Sequence, residues 1–525
     1  MQRALTKHVA AWKAPKSSSN GVSRSMSRDA TVHGLRVARV SIRWPVTWHI
    51  PADWRAAAAL ALVAVLARAQ TYGNPVIGFD EQFYLLVGDR MWHGAVPYVD
   101  IFDRKPIGLF VVFAAIRALG GEGFWQYQLV ATAVVALTAF AIYRAACKLG
   151  DKSGALIAAC LYIVWLDFLE GEGGQAELFF NLPMVGAALL TWRAVETQRH
   201  VGRRGGAAMA LVGIALQIKY TTVFEGMYFG LALMWAQWRA SRHGATLMCR
   251  AAIWIAIALA PTLLALLSYA YHGALLAYVF ANFQSNFGRL ADPVGAQLNG
   301  LAETIAILSP LLVCAGLGLR CARPGAGFVG LWLGAAVLGY LGFKSFLTLH
   351  YAIPVLVPAT IAAAPWFAQV ARRGILPWLF LALAFVASQI AIARTTYIKG
   401  GRDTARALAA AAQPHHGCIF VYDGYPALYM LTHSCLPTRW PFPGHLDSSN
   451  EASARAIGVD PGAELRRILA TRPEVIIDTA PVYYLANQAN HAAIEAVLAR
   501  DYRLAARIKT GSDRYRLVYR LREAR

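Results

Sequence analysis

Apolar stretches of membrane-spanning length recur eleven times between Arg55 and Arg394, which leaves the chain few folds to choose from. The first runs from about Arg55 to Tyr72. The others centre on 126–147, 151–168, 176–194, 205–220, 222–238, 250–271, 299–319, 325–343, 349–370 and 374–394. Hydrocarbon offers no water to bond backbone N–H and C=O groups, so each crossing must be a helix. Composition agrees: 57% of the 525 residues are hydrophobic and only 15% are charged, too few charges to cover a water-soluble surface of this size. The expected fold is a polytopic α-helical membrane protein.

The formal net charge of +21 invites a nucleic-acid reading, which the placement of the charge excludes. Basic residues concentrate in the N-terminal tail and in alternate short loops, among them Lys148 and Lys152; Arg199, Arg203 and Arg204; Arg372 and Arg373. This is the positive-inside pattern of a membrane protein, without the interleaved aromatic and basic residues of a nucleic-acid surface. The intervening loops carry Asp80, Glu81, Asp103, Glu170, Glu172, Glu177 and Asp292. The parity places the N-terminus in the cytoplasm and the C-terminus outside, in a bacterial inner membrane. The stretch from Pro106 to Gly120 is apolar but short. Counting it as a span would turn every later basic loop outward, so it reads as a helix lying on the outer surface.

Three regions follow. Residues 1–54, rich in Arg, Lys and Ser, read as a disordered cytoplasmic tail held near anionic lipid. An organellar presequence and a start at Met26 are the other readings of this segment. Residues 55–396 form the transmembrane domain. Residues 397–525 change to short β-prone runs (418–422, 475–478, 502–508 and 515–520) alternating with amphipathic stretches at 461–471 and 489–499. That pattern is a small extracytoplasmic α/β domain. The seven cysteines show no metal-binding spacing. Cys418 and Cys435 fall in this domain, either joined in an oxidising compartment or as two separate buried thiols.

Polar groups gather at the outer face. Loop one supplies Asp80, Glu81, Asp103 and Lys105. Asp167, Glu170, Glu172, Gln175 and Glu177 follow, and Lys219, His272, Lys344, His350 and Tyr351 sit at span ends. Acids and cations converging at a bilayer edge suit transfer of a sugar from a polyprenyl phosphate. The isoprenoid tail stays in lipid, the phosphate meets cations at headgroup depth, and a carboxylate removes the proton of an incoming hydroxyl. Lysine or a bound cation neutralises the departing phosphate.

The run Gly78-Phe79-Asp80-Glu81, then Pro97-Tyr98-Val99-Asp100 and Phe102-Asp103-Arg104-Lys105-Pro106, resembles the GT-C glycosyltransferases. The resemblance is to the protein-mannosyltransferase and lipid A aminoarabinose-transferase branch, and Lys344 to Pro358 is similar to a later outer-loop motif of that branch. It covers residues 55–395 and implies an inverting transfer from a polyprenyl-phosphate sugar to an extracytoplasmic acceptor, with or without a divalent cation. It further implies Asp80 as the base, Lys105 and Tyr84 at the lipid phosphate, and Glu177 as a second outer-loop acid. Asp103, Glu177 and His272 are the metal candidates it suggests. Two positions depart from the branch: Arg104 stands where it carries an acid, and Phe83 where it carries an arginine.

Plainer roles compete for each residue. Asp80 and Glu81 suit the first turn of a helix as well as chemistry, and Glu81 has three readings: orienting Asp80, binding a metal, or capping. Lys105 has the length to snorkel, and Arg68 either snorkels outward or meets the phosphate. Lys219, against the positive-inside trend, is an interfacial anchor or a phosphate ligand. His350 and Tyr351 read as an interfacial pair or a donor-site pair. His415, His416, His433 and His445 read as structural or solvent-facing. A transporter would place its charges mid-span rather than at one face. A non-catalytic scaffold for envelope assembly would tolerate loss of Asp80.

Overall fold

The computed structural model describes residues 53–321, 323–343 and 345–522. The basic tail and Lys344 lie outside the described residues.

Every one of the eleven apolar stretches is a helix. Seven of these helices are long and apolar enough on their own to cross a membrane. After α1 (Trp54–Arg68), loop one folds into α2 (Phe79–Trp92) and α3 (Ile107–Arg117). At about 1.5 Å per residue, α3 reaches only about 16 Å, half of a hydrocarbon core. It buries Leu109, Phe110, Phe113 and Ile116 and leaves Val111 exposed, as a helix on the surface of the bundle does. Then follow α4 (Phe124–Ala146), α5 (Lys152–Leu166), α6 (Ala176–Thr197), α7 (Val201–Leu216), α8 (Val223–Ser241), α9 (Gly244–Tyr271), the short α10 (Leu275–Val279), α11 (Val294–Leu319), α12 (Ala326–Phe343), α13 (Ile353–Ala371) and α14 (Leu376–Lys399).

The bundle is built around α13, which packs against α5, α11, α12 and α4. Its small residues let backbones approach closely. A Cβ on Gly154 of α5 would sit 2.5 Å from both Ala364 O and Ala368 N. Helices at the periphery present apolar side chains outward instead: Ile255, Leu263, Leu264 and Leu267 of α9 are all more than half exposed. In water such a face would drive aggregation; in lipid it is the solvated surface.

The two ends of the bundle differ in chemistry. At one, Asp53 meets Arg144 and Lys152, Lys148 meets Glu196, and Arg372 meets Asp151. At the other, loop one is joined to the C-terminal region. There Arg402 donates to the carbonyls of Tyr72 and Gly73, Phe102 N to Arg439 O, and Arg439 to Tyr98 O.

That region begins with α15 (Arg402–Ala412) and carries a four-stranded sheet in the order β1-β2-β4-β3. β1 (Ile419–Val421) and β2 (Val475–Ala480) are parallel, with Phe420 opposite Ile476. β3 (Tyr502–Thr510) and β4 (Arg514–Leu521) form an antiparallel hairpin, and β4 pairs with β2. Between β1 and β2 lie α16 (Leu428–Leu431), α17 (Gly444–Asp447), α18 (Ala454–Ile457) and α19 (Pro461–Ala470). α20 (Gln488–Asp501) leads into β3. Local signals set these elements. Asp460 caps α19 by accepting from Ala463 N, Pro461 takes the first turn, where its missing N–H costs nothing, and Leu465 and Ile468 are buried. The Ala-rich α15 is one element the sequence pattern did not announce. Cys418 and Cys435 are joined in a disulfide, with Cα atoms 5.0 Å apart, which ties the start of β1 to the loop after α16.

Candidate active site

A cavity of about 530 Å³ lies between loop one, the ends of the spans and the α/β domain. Loop one delivers most of its chemistry. Gly78 is extended and α2 starts at Phe79, so Asp80 and Glu81 occupy the first turn, where the helix dipole favours acids. Neighbouring helical side chains point about 100° apart, and here they part company. Asp80 faces the cavity, while Glu81 is fully buried and absent from its lining.

Asp80 Oδ2 accepts from the Tyr84 hydroxyl, one turn on, at 3.0 Å, and lies 3.8 Å from Lys105 Nζ. Burial pushes its pKa up, but Lys105, His350, Lys219 and the Tyr84 hydrogen bond together bring it below the ordinary aspartate value. Asp80 is therefore an ionised, partly exposed carboxylate. Burial works against the charge of Lys105, yet Asp80 and Asp103 outweigh it and raise the lysine's pKa, so it remains a cation. Tyr84, fully buried, has its hydroxyl pKa pushed up by burial and by the surrounding carboxylates, and stays a donor. Lys105 is held by its backbone: its carbonyl accepts from the Tyr98 hydroxyl at 2.7 Å, and Tyr98 itself adopts a left-handed φ of 68°.

Glu81 ties two loops together. Oε1 accepts from Gly174 N at 2.9 Å and Oε2 from Gln175 Nε2 at 3.4 Å. A Cβ on Gly78 or Gly173 would meet this carboxylate, so a larger residue at either position would push Glu81 out of its present place. Arg68 bonds the carbonyls of Gly171 and Gly173 from below, so the same loop is held from two sides. Burial raises the Glu81 pKa to about 7, with Asp80 and Glu172 adding to it. A raised acid pKa stabilises the fold below the unfolded value, and that contribution is lost as pH climbs through about 7. Glu81→Gln removes the titration. The melting temperature of the wild type should fall between pH 5 and pH 8 more than that of the variant, measured by thermal unfolding in nanodiscs. Parallel curves would refute this assignment.

The remaining expected residues divide. Lys219 follows α7 and makes a buried ion pair with Glu177 in the first turn of α6. Its Nζ also lies 3.8 Å from the centre of the Tyr351 ring. His350 Nδ1 lies 3.1 Å from Glu170 Oε2, and its ring stacks on Tyr351. Lys219, His350, Tyr351 and Asp103 all line the cavity; Glu177 stands behind Lys219. His272 lies elsewhere, exposed beyond the end of α9 beside Tyr271.

The candidates for a divalent cation do not fit one ion. His272 is remote, the Glu177 carboxylate is engaged by Lys219, and Asp103 Oδ1 accepts from the backbone N–H groups of Arg104 and Lys105. Among the described residues no cluster of three His, Cys, Asp or Glu side chains forms a ligand set.

Several lining residues were not anticipated. Lys399 ends α14 on the loop-one side and bonds Ile77 O at 3.3 Å. The same signal that marked Lys219, a cation at an outer span end, was present for it. His445 is buried, so the solvent-facing reading fails for it, and it lines the cavity. Asp423, Asp447 and Arg516 of the α/β domain also line it, at positions hundreds of residues from loop one with no local signature.

Comparisons with known proteins bear on this arrangement. Residues 104–289 match the family model described as dolichyl-phosphate-mannose-protein mannosyltransferase. A search of curated protein sequences gave no match. Among solved structures, the chain is similar to ArnT from Cupriavidus metallidurans bound to undecaprenyl phosphate. The TM-score is 0.56 at 13% identity, covering 89% of this chain and 98% of that one. It is also similar to the archaeal oligosaccharyltransferase AglB from Archaeoglobus fulgidus, in complex with an inhibitory peptide and a dolichol-phosphate. Here the TM-score is 0.51 at 12% identity, covering 81% and 69%. The chain thus has the fold of the GT-C glycosyltransferases and, within residues 104–289, resembles the protein-mannosyltransferase family.

Proposed function

We propose that this protein transfers a sugar from a polyprenyl-phosphate carrier to a hydroxyl of an extracytoplasmic acceptor, with inversion at the sugar carbon. The observation that carries this reading is the Asp80–Lys105 pair, an ionised carboxylate and a lysine cation 3.8 Å apart on the wall of one cavity. Lys105 exchanges part of its attraction to Asp80 for the incoming phosphate, with Lys399 and Lys219 adding positive charge nearby. Asp80 then accepts the proton of the acceptor hydroxyl as its oxygen bonds the sugar carbon. The carbon–oxygen bond to phosphate breaks, and the lipid leaves as a phosphate monoester stabilised by the same cations. The lipid phosphates bound to the two similar structures support this class of donor.

We further assign the α/β domain to the periplasmic side of a bacterial inner membrane and the N-terminus to the cytoplasm. The disulfide between Cys418 and Cys435 and the basic loops at the opposite end support that orientation.

Undecaprenyl phosphate binding, followed by native mass spectrometry, tests the reading. The wild type should hold one lipid phosphate, and Lys105→Met should weaken it about tenfold or more, the loss expected for one charge-assisted contact. Equal binding by both proteins would remove the phosphate role from Lys105, and no binding by the wild type would sink the donor assignment.

A further inference from the structure

At the basic end of the bundle, α7 and α9 pack side by side and leave a pocket of about 520 Å³ between them. Gly202 of α7 lines one side, and Thr246, Arg250, Ile253 and Trp254 of α9 line the other. A space of this size falls within the roughly 300–1,000 Å³ of small-molecule sites. The 16 residues of α7, a length of about 24 Å at 1.5 Å per residue, separate it from Lys219 and the outer cavity.

The sequence of α9 sets the depth of the pocket in the bilayer. From Ala251 to Ala270 the helix carries 20 residues without a charge. That is a length of about 30 Å, the thickness of a hydrocarbon core. Arg250 immediately precedes the run, so its guanidinium stands at the level of the phospholipid headgroups. Ile253 is half exposed on a surface that only lipid covers. Trp254 is buried and donates to Gly202 O at 3.3 Å. The pocket is therefore cationic toward water and apolar toward hydrocarbon.

Its cation has no anion of its own. Arg250 is partly buried and lies over the backbone of α7, where a Cβ on Gly202 would overlap its Nη1. The acids at this end are engaged elsewhere: Asp53 by Arg144 and Lys152, Glu196 by Lys148, and Asp151 by Arg372. The flanking stretches 197–204 and 239–250 hold six arginines and no acid. Arg250 thus lacks an ion pair among the described residues. A guanidinium partly withdrawn from water is stabilised by any anion that reaches it.

We propose that this pocket binds an anionic glycerophospholipid of the cytoplasmic leaflet, with its phosphate on Arg250 and its acyl chains along Ile253. Basic pockets between membrane helices on that side favour such headgroups. A soluble phosphate gains nothing from the apolar wall, and a zwitterionic lipid brings its own cation to compete with Arg250. The inference stands on the helices and charges at this end and is independent of the transfer reaction.

Full-length protein, stripped of co-purified lipid in detergent, is titrated with phosphatidylglycerol and with phosphatidylcholine, and bound lipid is followed by native mass spectrometry. The first phosphatidylglycerol should bind about tenfold tighter than phosphatidylcholine, and Arg250→Gln should erase that preference. Arg320→Gln, at the same end but outside the pocket, and Lys105→Met, in the outer cavity, should leave it unchanged. A second measurement needs no variant: phosphatidylglycerol with a photoreactive headgroup should crosslink to the peptides carrying Gly202 or Arg250. Equal binding of the two lipids would overturn the proposal, as would crosslinks confined to other peptides. Equal weakening by Arg250→Gln and Arg320→Gln would show a diffuse field in place of a site. Inorganic phosphate held as tightly as the lipid would overturn the choice of ligand.

Discussion

On the proposed mechanism, Asp80→Asn should slow sugar transfer at least a hundredfold and leave the lipid phosphate bound. The substitution keeps the size of the side chain and can still accept from Tyr84, but it removes the basicity that takes the acceptor proton. Loss of a general base costs about 10²–10⁴ in turnover. Because Lys105, His350, Lys219 and Tyr84 together outweigh burial and hold the Asp80 pKa below its ordinary value, the carboxylate is ionised throughout the neutral range. The wild-type rate should therefore show no acid limb from this group between pH 5 and pH 8. The variant should bind undecaprenyl phosphate at least as tightly as the wild type, since a carboxylate competing for Lys105 is gone. Single-turnover assays in nanodiscs across that pH range decide the matter. An Asp80→Asn protein with wild-type turnover would remove the role of general base from Asp80.

The second large effect is on stability. Arg104 of loop one forms a two-pronged pair with Glu451 of the α/β domain, Nη1 to Oε1 at 2.8 Å and Nη2 to Oε2 at 2.5 Å. The same guanidinium donates to Ser285 Oγ and to Ala456 O, and Arg289 adds a contact to Glu451 at 3.0 Å. Both partners are largely buried, at 12% and 5% side-chain exposure. Removing one member deprives the other of its main partner, at a cost of up to about 3–5 kcal/mol for a buried pair. Arg104→Met and Glu451→Gln should each lower the melting temperature and open the join between loop one and the α/β domain to protease. The double variant should cost much less than the sum of the singles, as groups in direct contact do. Additive losses would show that the pair is not a unit.

Much of the architecture was legible because it is local. Hydropathy over about twenty residues marks a span whatever the rest of the chain does, and the eleven stretches, the short segment at α3 and the four strands all became elements where the pattern put them. The resemblance implied Asp80 as the base, but the place of Glu81 was not legible: orienting Asp80, binding a metal and capping stayed open, and only the packing of Gly78 and Gly173 around its carboxylate shows it turned away from the cavity. The α/β half of the cavity was silent for a different reason. His445, Asp447 and Arg516 approach loop one across more than 300 residues of chain, and no spacing rule encodes such a meeting. A trace did exist. The two positions that depart from the resembling branch are Arg104 and Phe83, and both touch the α/β domain, at Glu451 and at Phe442 and His445.

The cavity draws its walls from residues as far apart as Val76 and Arg516. A ribosome making this chain inserts all the spans before it reaches the last of those residues. The membrane portion thus waits, open on one side, until the final hairpin is synthesised and docked. A polypeptide that stops short of β4 would lack the wall that Arg514 and Arg516 supply, and would leave Asp80 and Lys105 open to bulk water on that side.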